Sequence, residues 1–241
     1  MPRLSLKNVT LVVIETRAHE LMRITAQELV DVIDFGEVLI YSDNFNALRV
    51  PVASYHLVPD WPSKKEWEQF LWVGATPDIR TEFALMVQWD AGLFDPEMWS
   101  EAFLKYDYIG APWYFEHGLN VGNGGFTINS RRLLRYIYDH QETFPMVPPL
   151  DVTLCRTYRP ALEVHGFRWA PDPIALDFAF ETVRPDPTSR HFGYHGIFNW
   201  PRVLNKERLE RRVRLAQVNP YIKGTKMLEQ LYKVMPELRA A

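Results

Sequence analysis

In the stretch VTLVVIET, Val9 to Thr16, apolar and β-branched residues follow one another almost without a break, which predicts a buried strand. The spacing then changes. In AHELMRITAQELVDVIDFG the apolar positions Leu21, Ile24, Leu29, Val32 and Ile33 recur at helical intervals, predicting a helix that Gly36 stops. EVLIYSDN predicts a second strand ending in polar residues. Strand, helix and strand in about 40 residues make a βαβ unit, so the pattern predicts a parallel sheet with helices on its faces. Ligands of such sheets gather beyond the carboxyl ends of the strands, which sets Glu15, Thr16, Ser42, Asp43 and Asn44 at the rim of a cleft.

Further along, SYHLVPD predicts a weaker third strand. SKKEWEQFLWVGA predicts a helix with Ser63 as its N-cap and Trp67, Phe70, Leu71 and Val73 as its apolar positions. The most apolar strand, Phe83–Val87, runs into Gln88, Trp89 and Asp90. PEMWSEAFLKY predicts a short helix with Pro96 first, and SRRLLRYIYDH one capped by Ser130. PLDVTLCRTYRPALEVHG predicts a helix, or a pair, interrupted at Pro160. Residues 205–241 predict two amphipathic helices, a C-terminal extension packed on the main domain of residues 1–204. No repeat or Gly/Ser linker divides the chain.

Composition narrows the function classes only a little. The 241 residues are 47% hydrophobic and 24% charged, as in an ordinary globular protein. A net charge of −3 gives no electrostatic argument for nucleic acid as a partner, which normally asks for a basic face. The one cysteine, Cys155, excludes an intrachain disulfide and a cysteine-based metal site. The N-terminal apolar run Leu11–Ile14 is too short for a signal peptide, and no window approaches the ~20 apolar residues of a membrane span. The expectation is a soluble, cytoplasmic protein. KERLERRVRL reads as a solvated helix face, with peripheral contact to an anionic membrane surface as its alternative.

Four places carry candidate chemistry. Asp90 ends a hydrophobic strand and precedes Ala91-Gly92, where a carboxylate either holds a divalent cation or sugar hydroxyl or closes a turn. VGNGGF sets Asn123 among three glycines, but its spacing fits neither a P-loop nor a dinucleotide fingerprint. It reads as a tight turn, or as bare backbone against which a hydroxyl-rich ligand can lie. Asp151 opens a helix, as a dipole partner or a general base. His191 and His195 lie in HFGYHGIFNW among aromatics, where histidines either pack in a core or join a carboxylate on a metal.

Taken in order, FALMVQWDAGLFDPEMW, YDYIGAPW, VGNGGFTINSRRLL, DVTLCRTYRPALE and FGYHGIFNW resemble a bacterial and viral family of glycosyltransferase-like domains of unknown function, grouped with the GT-A glycosyltransferases. The resemblance spans Val9 to Trp200. It implies an α/β fold: a single GT-A-type, Rossmann-like domain with a mostly parallel central sheet flanked by helices. It also implies transfer of a sugar from a nucleotide-diphosphate sugar to an acceptor hydroxyl, inverting and assisted by manganese or magnesium. Glu15, Thr16, Asp43, Asn44, Gln88, Trp89, Asn123, Gly124 and Gly125 would then meet the donor, Asp90 and His195 the metal, and Asp151 would be the base. The acceptor would be a saccharide or glycoconjugate. A non-catalytic nucleotide-sugar or glycan-binding module and a nucleic-acid-modifying glycosyltransferase are the alternatives. Leu150 departs from the family, which more often has an acid before Asp151, and Gln88, as is usual in the family, stands where an Asp-x-Asp motif would begin.

Overall fold

The computed structural model describes residues 3–61, 64–182 and 189–239. Strand β1 (Leu4–Ile14) lies inside a six-stranded sheet, and its stretch from Val9 onward is buried throughout, as the apolar run requires. It pairs in parallel with β2 (Ile33–Ser42) on one side and β4 (Phe83–Val87) on the other, and β3 (Ser54–Leu57) extends the sheet beyond β2. At the far edge β7 (Phe126–Ser130) runs antiparallel to β4, and β6 (Tyr108–Gly110) antiparallel to β7. The strand order is therefore β3-β2-β1-β4-β7-β6. The mostly parallel α/β sheet read from the sequence is present, with β7 as its reversed member.

That reversal matters for the site. It sets the start of β7 against the end of β4, with Phe126 opposite Val87 and the Gln88 N–H donating to the Gly125 carbonyl at 2.9 Å. The glycine turn thus reaches the edge of the sheet where β1, β2 and β4 end.

Helix α1 (His19–Val32) stops before Gly36, and β2 begins directly at Ile33. Gly36 does a different job from the one its spacing predicted. It lies within β2 beside a register shift in β1, where a β-carbon would sit 2.1 Å from the Lys7 carbonyl oxygen. Helix α2 (Lys64–Gln69) continues as a π-helical turn over Phe70–Gly74, and its expected cap, Ser63, lies outside the described residues. The helix expected over Pro96–Tyr106 is instead two 3₁₀ turns, Pro96–Met98 and Glu101–Lys105. Asp95 and Ser100 each accept a nearby backbone N–H, so local side-chain bonds restart the chain before a helix can propagate.

Helix α3 (Arg131–Asp139) is capped by Ser130, whose Oγ accepts the Leu133 N–H at 3.1 Å. Helix α4 (Leu150–Val152) passes through a π segment, Thr153–Tyr158, into α5 (Arg159–Val164). Pro160, which has no N–H to donate, falls just past that widened turn. Helix α6 (Asp172–Phe178) leads to β8 (Ala179–Phe180), which pairs with β9 (Gly193–Tyr194), itself paired with β5 (Gly92–Leu93), in a small second sheet.

After α7 (Trp200–Val203), helices α8 (Lys206–Val218) and α9 (Lys226–Val234) share an apolar cluster with Ala18, Leu21, Ile197 and Trp200. The charged run on α8 is not wholly a solvated face. Arg212 is 1% exposed, donates to Glu28 at 2.7 Å and to Thr25 Oγ1 at 2.8 Å, and covers the Trp200 ring. Among the described residues no helix is long and apolar enough to cross a membrane.

Candidate active site

Asp90 and His195 are more than a hundred residues apart in sequence, and two-residue strands bring them together. Gly92 of β5 pairs antiparallel with Tyr194 of β9, which sets the residue after β9 against the residues before β5. On the other side of β9 the His195 N–H donates to the Phe180 carbonyl at 3.0 Å, which draws in Glu181. The imidazole ends between two carboxylates, with Nε2 3.3 Å from Asp90 Oδ1 and Nδ1 3.1 Å from Glu181 Oε1.

Neither approach has hydrogen-bond alignment, so Asp90 Oδ1 and both ring nitrogens are buried without a hydrogen-bond partner. Burial alone would depress the His195 pKa, but the charge of Asp90, and then of Glu181, outweighs it and holds the group well above its ordinary value. Asn199, 1% exposed, fixes this corner by donating its Nδ2 to the carbonyls of Glu181 (3.0 Å) and His195 (2.7 Å).

The glycine turn supplies the facing wall. None of Gly122, Gly124 and Gly125 has a positive φ, so close approach is what demands them. A β-carbon would lie 2.0 Å from the Trp113 ring at Gly122 and 2.1 Å from His195 Nε2 at Gly125. At Gly124 it would touch Asp151 Cβ and the Trp72 ring, both at 3.4 Å. Asn123 is buried and locks the turn: its Oδ1 accepts the Gly125 N–H at 3.0 Å, and its carbonyl accepts the Tyr108 hydroxyl at 3.1 Å.

A cavity of about 310 Å³ is lined by Gln88, Asn123, Gly124, Gly125, Asp151 and His195, with Trp67, Trp72 and Trp113 among its aromatic walls. Asp151 Oδ1 accepts the Val152 N–H at 2.8 Å. Asp90 stands behind His195, 2% exposed, and does not itself line the cavity. A second cavity of about 320 Å³ shares Trp67 and Gln88 with the first and is lined by Glu15, Thr16, Arg17, Trp61, Trp89 and Tyr221. The two cavities adjoin at these shared residues, as the inner and outer parts of one cleft region.

Within it, Glu15 is turned inward. Its Oε1 accepts the N–H groups of Arg17 (2.7 Å) and Ala18 (2.9 Å), yet burial still raises its pKa above the ordinary value. Thr16 donates to Asp60, and the Trp89 carbonyl accepts from Thr25 at 3.0 Å and Arg212 at 3.4 Å. Asp43 and Asn44 line neither cavity. Asp43 faces His19 at 2.6 Å, and Asn44 Oδ1 accepts the Ala47 N–H. His191 is a core histidine, bonded to Ser189 and the Leu176 carbonyl.

Sequence reading missed Glu181 and Glu68. Glu181 carries the same signal that marked Asp90, an acid at the end of an apolar strand, but its strand is two residues long. Glu68, 7% exposed, lines the cavity beside Asp151 and accepts the Leu150 N–H at 3.4 Å. Among the described residues no three His, Cys, Asp or Glu side chains are arranged to hold a metal ion by themselves.

A family model described as a protein of unknown function, DUF5672, matches residues 67–195, just over half of the chain. No curated protein matches the sequence. Among solved structures, the mannosyltransferase PcManGT from Pyrobaculum calidifontis, in complex with GDP-Man and Mn²⁺, is 16% identical. That match covers 97% of this chain and 73% of the other, with a TM-score of 0.50. A glycosyltransferase involved in glycosylating the major capsid of PBCV-1 is 14% identical over 87% of this chain and 99% of its own, with a TM-score of 0.49. The chain has the GT-A-type glycosyltransferase fold.

Proposed function

The chain belongs to the DUF5672 family, and from its fold and its cleft we propose that it is a nucleotide-sugar-dependent glycosyltransferase. One observation carries the reading. Asp90, Glu181, His195, Asp151 and a bare glycine backbone, from four distant parts of the chain, converge beyond the carboxyl ends of β1 and β4.

In this reading Glu15, Thr16, Gln88 and Trp89 border the nucleotide in the outer cavity, and Asn123, Gly124 and Gly125 receive the donor sugar in the inner one. Asp43 and Asn44 are left out of the proposed contacts, since Asp43 is paired with His19 at the start of α1 and Asn44 is engaged within its own loop. Asp90 and His195 would hold a manganese or magnesium ion through their two orphaned, buried atoms, Oδ1 and Nε2, with displacement of the proton that the two carboxylates favour on the imidazole. Such ions usually take one or two protein groups and complete their shell with substrate oxygens and water, which suits a pair rather than a closed cage. When bound, the ion supplies positive charge against the departing diphosphate.

Asp151 is the proposed base. With Oδ1 held by the Val152 N–H, Oδ2 takes the proton of the acceptor hydroxyl as that oxygen attacks the anomeric carbon. The bond from that carbon to the diphosphate breaks, and a single displacement inverts the centre. Trp72 and Trp113 supply apolar walls that exclude water from the reacting face.

The rival reading, a pocket that binds and does not turn over, is favoured by Leu150, which is buried where the resembling family places an acid. Glu68, brought to the Leu150 N–H, restores a carboxylate there. A thermal-shift screen of nucleotide sugars with and without Mn²⁺ tests the proposal. One donor should stabilise the protein preferentially, and more so with the ion. Absence of stabilisation by every nucleotide and nucleotide sugar would sink it.

A further inference from the structure

A separate cavity, about 530 Å³, opens at the other end of the strands that carry the site. Phe83 and Ser130, opposite each other across β4 and β7, both line it, whereas Val87 and Phe126 lie at the catalytic end of the same pair. Four residues of strand separate the two ends, about 13 Å. The linings of this cavity and the cleft share no residue.

Its charge is opposite to that of the chain. Arg80, Lys105, Arg131, Arg132, Arg135 and Arg168 line it against two carboxylates, Glu82 and Asp107. That is +4 locally in a chain of net −3, which leaves −7 on everything else.

Of the two carboxylates, Asp107 is fully engaged, and Glu82 makes no ion pair with these cations among the described residues. Asp107, 3% exposed, accepts from Ser130 Oγ, from Arg132 Nε and Nη2, and from the Arg168 backbone N–H. Arg135 pairs with Asp139. The side chains of Arg80, Lys105, Arg131 and Arg168 have no hydrogen bond or ion pair among the described residues. All four residues are exposed, so solvent screens their like charge and an anion can take its place. Phe83, Leu104 and Tyr106, each half-buried, add apolar surface inside the ring of cations.

We propose that this cavity is a second binding site, for a small organic anion that carries a phosphate or diphosphate group on an apolar or aromatic body. Guanidinium groups match phosphate oxygens in a bidentate fork, and the volume is that of a small-molecule site. None of the exposed large apolar side chains lines it, which favours a small ligand over insertion into a membrane. The inference does not depend on the glycosyltransferase reading.

The test is calorimetric titration of the full chain with pyrophosphate and with phenyl phosphate, in chelator so that no ion bridges ligand and cleft. Both probes should bind saturably, phenyl phosphate more tightly than inorganic phosphate. Arg131→Glu/Arg168→Glu should weaken binding about tenfold or more, while Asp90→Ala and the charge-matched control Lys206→Glu/Arg214→Glu should leave it unchanged. If the double reversal does not fold, Arg131→Gln/Arg168→Gln serves, with the same direction of effect. No saturable binding, equal loss in the control, or loss in Asp90→Ala would overturn the proposal. Capture by phosphatidylglycerol vesicles without binding of either probe would also overturn it, in favour of a membrane surface.

Discussion

The Nε2 atom of His195 packs against the backbone of Gly125 so closely that a β-carbon there would lie 2.1 Å away. The imidazole and the glycine turn are therefore one structural unit, and the geometry of each fixes the other. Gly125→Ala should push His195 from its position between Asp90 and Glu181. Turnover should fall about 10²-fold, and stability by about 1–3 kcal/mol from overpacking. Gly124→Ala, whose nearest neighbours would be at 3.4 Å, should cost far less. Steady-state kinetics and denaturant melts on both variants check this; equal losses would contradict the assignment of Gly125 to close packing.

Arg212 reaches from α8 to the Trp89 carbonyl, one residue before Asp90, while also pairing with Glu28 and Thr25. Arg212→Ala should destabilise the protein by about 3 kcal/mol, the low end for breaking a buried pair, because Arg208 still pairs with Glu28. The donor should also bind more weakly if the outer cavity, which Trp89 lines, holds the nucleotide as proposed. Unchanged donor affinity in a variant that still folds would show that the helix supports the fold alone.

Burial holds the Glu15 carboxyl above its ordinary value, so its protonated form favours the folded state and that contribution is lost as the pH rises through the folded pKa. Glu15→Gln keeps an oxygen for the Arg17 and Ala18 N–H groups and removes the titration. Relative to the parent, the variant should gain thermal stability as the pH is raised from about 4.5, the ordinary value, toward neutrality. A gap that narrows with rising pH would contradict this sign.

Asp90→Ala and His195→Ala should each weaken Mn²⁺-dependent donor binding while leaving metal-free nucleotide binding near parental. Calorimetry with and without chelator separates the two. If donor affinity in the parent is the same with and without the ion, the cation role of this pair is wrong.

Long, regular features were legible in the sequence, and short ones were not. The run at Val9–Ile14, the helical spacing from Leu21 to Val32 and the Ser130 cap each use a local rule, and each appears in the fold. Gly36 misled because a glycine after a helical run reads as a stop, whereas here it relieves crowding between β1 and β2. The turns around Asp95 and Ser100 misled because local capping bonds outweighed the helix start that Pro96 marks. Asp151 and the glycine wall were nominated from residue type and resemblance, and the structure places them together. The meeting of Asp90 and His195 rests on β5 and β9, and Glu181 on β8, strands too short to leave a periodic signal. Arg212 was hidden because a basic helix face carries no mark of which cation turns inward.

The central claim is that this cleft transfers a sugar from a nucleotide donor with Asp151 as base. Release of nucleoside diphosphate from the donor selected by thermal shift, in the parent and in Asp151→Asn, tests it most directly. The parent should release it, and the variant should lose at least about 10²-fold in rate with unchanged melting temperature and donor affinity. No release from any nucleotide sugar, or equal rates in parent and variant, would contradict the account.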